Sequence, residues 1–216
     1  MINISNMSFK NIFENINFRA EKQTNTIIYS GVNTGSTLFL KMIDGLLTDI
    51  KGEFIVNSVD VTTLSEIDAL NYSNDISFVY EINGLIHYLN IYDNIMLPLK
   101  KFKYYDEILL NRLINDFNIG NLLYNDPSEL SDVEIKMVNI VRAIVVRPKI
   151  ILYDELDGGM DIDILNNIIS KLSLYQKELD FLQIFTTVKS FEFDLYKNFD
   201  YKYKLFNKTL ERVESE

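Results

Sequence analysis

The sequence predicts an α/β fold: a mostly parallel sheet at the core, an antiparallel β piece at the N-terminus and an inserted helical region. Three observations carry this. Short apolar segments alternate with amphipathic helical ones along the chain. The apolar segments "NTIIYSG", "PKIILYDE" and "DFLQIFTTV" lack period-two alternation, as strands covered on both faces do. The first twenty residues do alternate, as an antiparallel pair does.

In chain order, "INISNMSF" and "IFENINFRA" read as the antiparallel pair, and "NTIIYSG" as a buried strand ending at Gly31. The following segment places Leu38, Phe39, Met42, Ile43 and Leu46 on one helical face, with Gly45 near the helix end. "KGEFIVNSVDV" reads as a turn and strand, and "DISFVYE" as another strand. From about residue 91 to 145 the pattern is helical, and "DEILLNRLINDF" is amphipathic. "DPSELS" is a loop with Pro127 and the capping residues Ser128 and Ser131. "EIKMVNIVRAIVV" then sets Met137, Val138, Val141, Ile144 and Val145 on one face. "PKIILYDE" is a strand running into two carboxylates, "DIDILNNIISKLSLYQKEL" a helix and "DFLQIFTTV" a strand. The tail "YKYKLFNKTLERVE" reads as two short strands joined at Asn207-Lys208.

Composition narrows the function classes. The 216 residues suffice for one large domain or two small ones with a substantial core. No apolar run approaches the roughly 18 residues of a membrane span. The N-terminal "MINISNMSFKN" lacks the basic start and apolar core of a secretory signal. The absence of Cys excludes a disulfide framework and a thiolate metal site, and a single His, His87, excludes a multi-histidine site. A formal charge of −10 argues against a nucleic-acid surface. These features favour a cytoplasmic protein.

Six stretches, in order and in register, resemble one family. "SGVNTGSTLFLKMIDGL" stands beside a phosphate loop GxxGxGKST followed by LLKLIAGL. "KGEFIVNSVDV" stands beside SGEIxxxGxDI, and "SFVYEINGLIHYLNIYDNIMLPL" beside a glutamine loop GFVFQ…LTVxENVxLPL. "PSELSDVEIKMVNIVRAIVVRP" matches a signature PxELSGGQ…ARAL…P. "IILYDELDGGMD" matches LLLDEPTSGLD, the Walker B strand and D-loop, and "TTVK" matches the switch strand VTHD. Over nearly the whole chain this resembles the ATP-binding subunit of ABC transporters. Within that family it is most like the Mla-type phospholipid-transport ATPases, with lipoprotein-releasing and cell-division subunits close behind. The resemblance implies one domain over residues 1–216 with a P-loop NTPase-like ABC ATPase fold. Residues 1–81 and 148–216 form its core and residues 82–147 the helical insertion.

By that resemblance, Ser30, Gly31, Asn33, Thr34, Gly35, Ser36, Thr37 and Leu38 form the nucleotide-binding loop. Backbone N–H groups and the positive end of a helix would hold the phosphates. Gly35 is kept, and Asn33 replaces a glycine with a residue that tolerates positive φ better than most. Ser30 holds the place of the first glycine, with Gly31 adjacent, so the loop register can be shifted by one. Ser36 stands where the family has its lysine, and a neutral hydroxyl cannot replace a charge-assisted bond to phosphate. Lys41, one helical turn after Thr37, points back toward the helix N-terminus. The same stretch also reads as a strand–helix turn kept for folding, with no nucleotide.

The resemblance makes Thr37, Glu81 and Asp154 the groups that would hold Mg2+, and Glu155 the group that would polarise the attacking water. Glu81 replaces a glutamine and adds negative charge beside phosphates. Of the signature, Ser131 survives while Asp132 and Val133 replace glycines that permit close approach. Asp132 and Glu134 also read simply as an acidic helix start. Val188 stands at the switch histidine, His87 reads as an ordinary loop residue, and Asp161 matches a D-loop dimer contact. Phe9 is either the aromatic that stacks on the base or a core residue of the first strand.

The implied cofactors are ATP and Mg2+. The implied partners are an integral membrane permease and a second nucleotide-binding subunit, identical or paralogous, with the chain peripheral on the inner face of the cell membrane. Two readings of activity stay open. One is a subunit with impaired or absent hydrolysis, because lysine, signature glycines and switch histidine are lost together. The other is an active ATPase with unusual motifs that powers lipid or lipoprotein transport.

Overall fold

The structure, a computed structural model, describes residues 1–47, 49–81, 84–101, 105–189 and 198–213. Strands β1 (Ile2–Phe9) and β2 (Phe13–Ala20) pair antiparallel, from Ile2 opposite Ala20 to Phe9 opposite Phe13. Strand β4 (Lys51–Val56) pairs antiparallel with the other edge of β1, and the two-residue β5 (Val59–Asp60) closes this four-stranded sheet. The alternation read in the first twenty residues is real. Phe13, Ile16, Phe18 and Ala20 are buried, while the residues between them face water.

The second sheet comprises β3 (Asn25–Ser30), β6 (Ile76–Val79), β7 (Ile150–Tyr153), β8 (Leu182–Thr187), β9 (Tyr201–Phe206) and β10 (Thr209–Arg212). Their spatial order is β10-β9-β3-β8-β7-β6. Five strands run parallel and β10 returns antiparallel to β9. The β9–β10 turn falls at Asn207 and Lys208, both at positive φ (46° and 69°), as a two-residue hairpin turn requires.

This sheet is covered on both faces, which explains its unbroken apolar strands. Ile150 and Leu152 of β7 pack on one side with Ile28, Leu182 and Ile184, against α1 (Ser36–Ile43) and the first sheet. Ile151 and Tyr153 point the other way, into a core built with α3 (Ile91–Met96), α4 (Glu107–Asp116), α5 (Asp132–Val145) and α6 (Ile162–Leu179). There Tyr153 stacks on Phe185, ring centroids 4.3 Å apart. A short helix α2 (Glu66–Tyr72) joins the first core through Tyr72, whose hydroxyl donates to the Ile43 carbonyl at 2.5 Å.

Two local expectations are corrected. Leu46 is not on the face of α1. The helix ends at Ile43, Gly45 turns the chain at φ 76°, and Leu46 is exposed while Leu40 fills the core. Ser128 is not a cap. It lies within a 3₁₀ turn, Pro127–Glu129, whose capping box is made by Asp126 and Glu129. Ser131 does cap α5. Helices α3 to α5 occupy the chain between β6 and β7. Residue 82, where the insertion was expected to begin, lies outside the described residues, as does the end of the expected last strand at 214. Among the described residues no helix is long and apolar enough to cross a membrane.

Candidate functional site

Strands β3, β6, β7 and β8 are parallel, so their C-terminal ends share one edge of the sheet. Ligands of open α/β sheets bind at that edge. Here it carries a cleft of about 510 Å3 lined by Val32, Asn33, Gly35, Ser36, Thr37, Leu38, Lys41, Glu81, Glu155 and Val188. Residues far apart in sequence converge because each follows the end of its own strand, or opens the helix after it.

The loop from β3 to α1 is closed by Thr34, whose N–H and hydroxyl both donate to the Gly31 carbonyl (3.3 and 2.8 Å). Asn33 (φ 61°) and Gly35 (φ 100°) are both left-handed, whereas Gly31 is not. The loop therefore keeps the register in which positions 33 and 35 need conformational freedom, and the shift by one does not occur. Gly35 also sits against the first sheet, where an added Cβ would come within 3.1 Å of the Phe13 ring. It caps α1 with no side-chain hydrogen bond. The first N–H groups of a helix have no intrahelical acceptor, and the residues that carry them here, Ser36, Thr37 and Leu38, all line the cleft. Ser30 is fully buried, and its hydroxyl has no partner among the described residues. Lys41 is the one lysine or arginine among the described residues lining the cleft, opposite two acids.

The carboxylates after β7 sit differently. Asp154 is 3% exposed and accepts from the Thr186 hydroxyl at 2.9 Å. That same hydroxyl accepts the Glu155 N–H at 3.1 Å, so one β8 side chain fixes both residues. Glu155 is left-handed (φ 44°) and faces the cleft. Burial, then the charges of Glu81, Asp154 and Asp157, hold its carboxyl above the ordinary range. A carboxylate raised in this way is a better proton acceptor near neutrality. Among the described residues no three acidic or imidazole groups converge to hold a metal by themselves.

Of the remaining predicted positions, all but Val188 lie outside the cleft lining. Ser131 caps α5 in a reciprocal box: its N–H and hydroxyl donate to Glu134 (2.9 and 2.7 Å), and it accepts the Glu134 N–H. Asp132 and Val133 form the first turn of α5, Asp161 starts α6 exposed, and His87 lies exposed in a turn. Val188 does reach the cleft, and it presents only an apolar surface there. Phe9 is a buried core residue of β1. Sequence reasoning missed Thr186, Thr187, Lys136 and Lys189, which hold the turn after Glu155. The Ser131–Glu134 spacing was a readable capping-box signal.

A strand–turn–helix with a left-handed pair in its turn, beside acidic groups ending a neighbouring parallel strand, defines a P-loop nucleotide-binding domain. The ABC transporter family model matches residues 13–157, and the chain belongs to that family. The lipoprotein-releasing ATP-binding protein LolD of Buchnera aphidicola is 30% identical over 75% of this chain and 74% of its own length. The intermembrane phospholipid transport ATP-binding protein MlaF of Haemophilus influenzae is 24% identical over 85% and 73%. The molybdate/tungstate import ATP-binding protein WtpC of Pyrococcus abyssi is 28% identical over 82% of this chain, which spans only 51% of that relative. A post-hydrolysis dimer of the ATP-binding cassette MJ0796 bound to ADP and Pi shares the fold, with TM-score 0.82, 16% identity and full coverage of both chains.

Proposed function

We propose that this chain is the ATP-binding-cassette subunit of a membrane transport complex, binding Mg-ATP in the cleft and turning it over slowly or not at all. One observation carries the reading. The cleft unites the N-terminus of α1, Thr37 and Glu155 with Ser36 and Val188, the residues that by the resemblance stand for the family's lysine and histidine. The backbone cradle fits phosphates, and Thr37, Glu81 and Asp154 would hold Mg2+, which when bound neutralises phosphate charge. The groups that contact the γ-phosphate do not fit. A hydroxyl and an isopropyl replace an ammonium and an imidazole, and Asp132 and Val133 replace the signature glycines. Among the described residues lining the cleft, Lys41 supplies the positive charge.

The partners under this reading are an integral membrane permease and a second nucleotide-binding subunit. The chain then lies on the cytoplasmic face of the membrane through the permease. Resemblance to LolD and MlaF supports lipid or lipoprotein cargo. A second reading, an active ATPase, is favoured by Glu155 itself, which faces the cleft with a carboxyl suited to accept a proton.

Titration with a fluorescent ATP analogue in Mg2+ tests the binding claim. The parent chain binds saturably, Lys41→Met binds more weakly, and Ser36→Lys binds roughly tenfold tighter, the worth of one charge-assisted contact. No saturable binding by the parent overturns the claim.

A further inference from the structure

The turn that carries Glu155 is held by two ammonium groups. Lys136, on α5, is only 3% exposed. Its Nζ donates to the carbonyls of Glu155 (3.1 Å), Leu156 (3.2 Å) and Gly158 (2.6 Å). A lysine has three N–H donors and no acceptor, so three carbonyls satisfy it completely. The carbonyl these bonds skip, that of Asp157, is taken by Lys189 Nζ at 2.9 Å. Every main-chain oxygen from residue 155 to 158 thus faces a cation.

The side chains reinforce this. Asp157 is 4% exposed and accepts the Thr187 hydroxyl at 2.7 Å, with Lys189 Nζ 3.8 Å from the same carboxylate oxygen. Gly158 leaves room for the ammonium, since an added Cβ would stand 3.2 Å from Lys136 Nζ. Burial lowers the affinity of Lys136 for its proton, and the charges of Asp157, Glu81, Asp132 and Glu155 oppose that.

The clamp has a mechanical consequence. Glu155 is a non-glycine residue at φ 44°, a conformation kept only where the surroundings over-determine it. Lys136 ties that residue to α5, five residues from the Ser131 cap, and Lys189 ties the same turn to the end of β8, beside Val188. We propose that Lys136 and Lys189 are positioning residues: a two-cation clamp on the 155–158 carbonyls that aims Glu155 into the cleft and couples it to α5 and β8. The clamp itself stands on geometry alone; its effect on nucleotide rests on the function proposed above.

Amide hydrogen exchange of the full chain without nucleotide tests the clamp directly. The amides to read are Gly158, which donates to the Glu155 carbonyl, and Met160, which donates to that of Asp157. Lys136→Met is expected to raise their exchange about tenfold or more while β7 and β8 keep their protection, and Lys136→Arg restores it. Lys189→Met is expected to raise exchange at Met160 in the same way, and it carries the test where Lys136→Met does not fold. Unchanged exchange in the turn, or a uniform rise through the chain, overturns the clamp.

Mg-ATP affinity tests the aim. Removing the Glu155 charge by Glu155→Gln tightens binding several-fold with Lys136 present and less than about twofold in Lys136→Met. An undiminished effect in Lys136→Met overturns the positioning role. A chain that loses turn protection yet binds no nucleotide keeps the clamp and rejects the nucleotide reading, so the two fail separately.

Discussion

Asp44→Asn should stabilise the protein, and by an amount that grows with pH. Asp44 closes α1 as its C-cap, half-buried, and burial pushes its carboxyl from 3.8 up to about 7. The negative end of the helix dipole acts in the same direction. A carboxyl raised on folding contributes stability that is complete below its unfolded value, 3.8, and lost as pH rises through its folded value, about 7. Roughly three pH units at about 1.36 kcal/mol each set a ceiling near 4 kcal/mol, of which about 2 kcal/mol falls between pH 5 and 7. The assay is urea unfolding of parent and variant from pH 5 to 8.5, followed by circular dichroism and tyrosine fluorescence, since the chain has 13 Tyr and no Trp. The difference in unfolding free energy should widen by about 1 kcal/mol per unit between pH 5 and 7, flatten above, and leave the denaturant slopes equal. A difference independent of pH refutes the reasoning.

Two further substitutions probe the elements that frame the cleft. Gly35→Ala forces a Cβ into a left-handed residue and against Phe13. It should cost about 2–4 kcal/mol in urea unfolding and weaken Mg-ATP binding beyond detection. Ser131→Ala removes the α5 capping box and should cost about 1 kcal/mol, with nucleotide affinity unchanged because Ser131 does not line the cleft.

The parallel sheet was legible because its strands are apolar on both faces. Ile150 and Leu152 feed one core, Ile151 and Tyr153 the other, so β7 had no alternation to show. The phosphate loop was legible because Asn33 and Gly35 are residue types that accept the left-handed conformations they adopt. Leu46 misled because helical periodicity continues in sequence past Gly45, where the chain has already turned. Lys136 was illegible for a different reason. A lysine on a helix that also carries Asp132, Glu134 and Arg142 reads as part of its exposed face, and its carbonyl partners lie 19 to 22 residues away on another element. Asp44 likewise owes its raised carboxyl to burial, which local sequence does not encode.

We propose that the cradle persists while the γ-phosphate chemistry has gone. The most direct test is ATP turnover at saturating Mg-ATP, by the chain alone and reconstituted with a permease, beside Glu155→Gln. Saturable binding is expected, with turnover far below about 1 per second. Parent turnover of about 1 per second or more that disappears in Glu155→Gln would contradict this and establish an active ATPase.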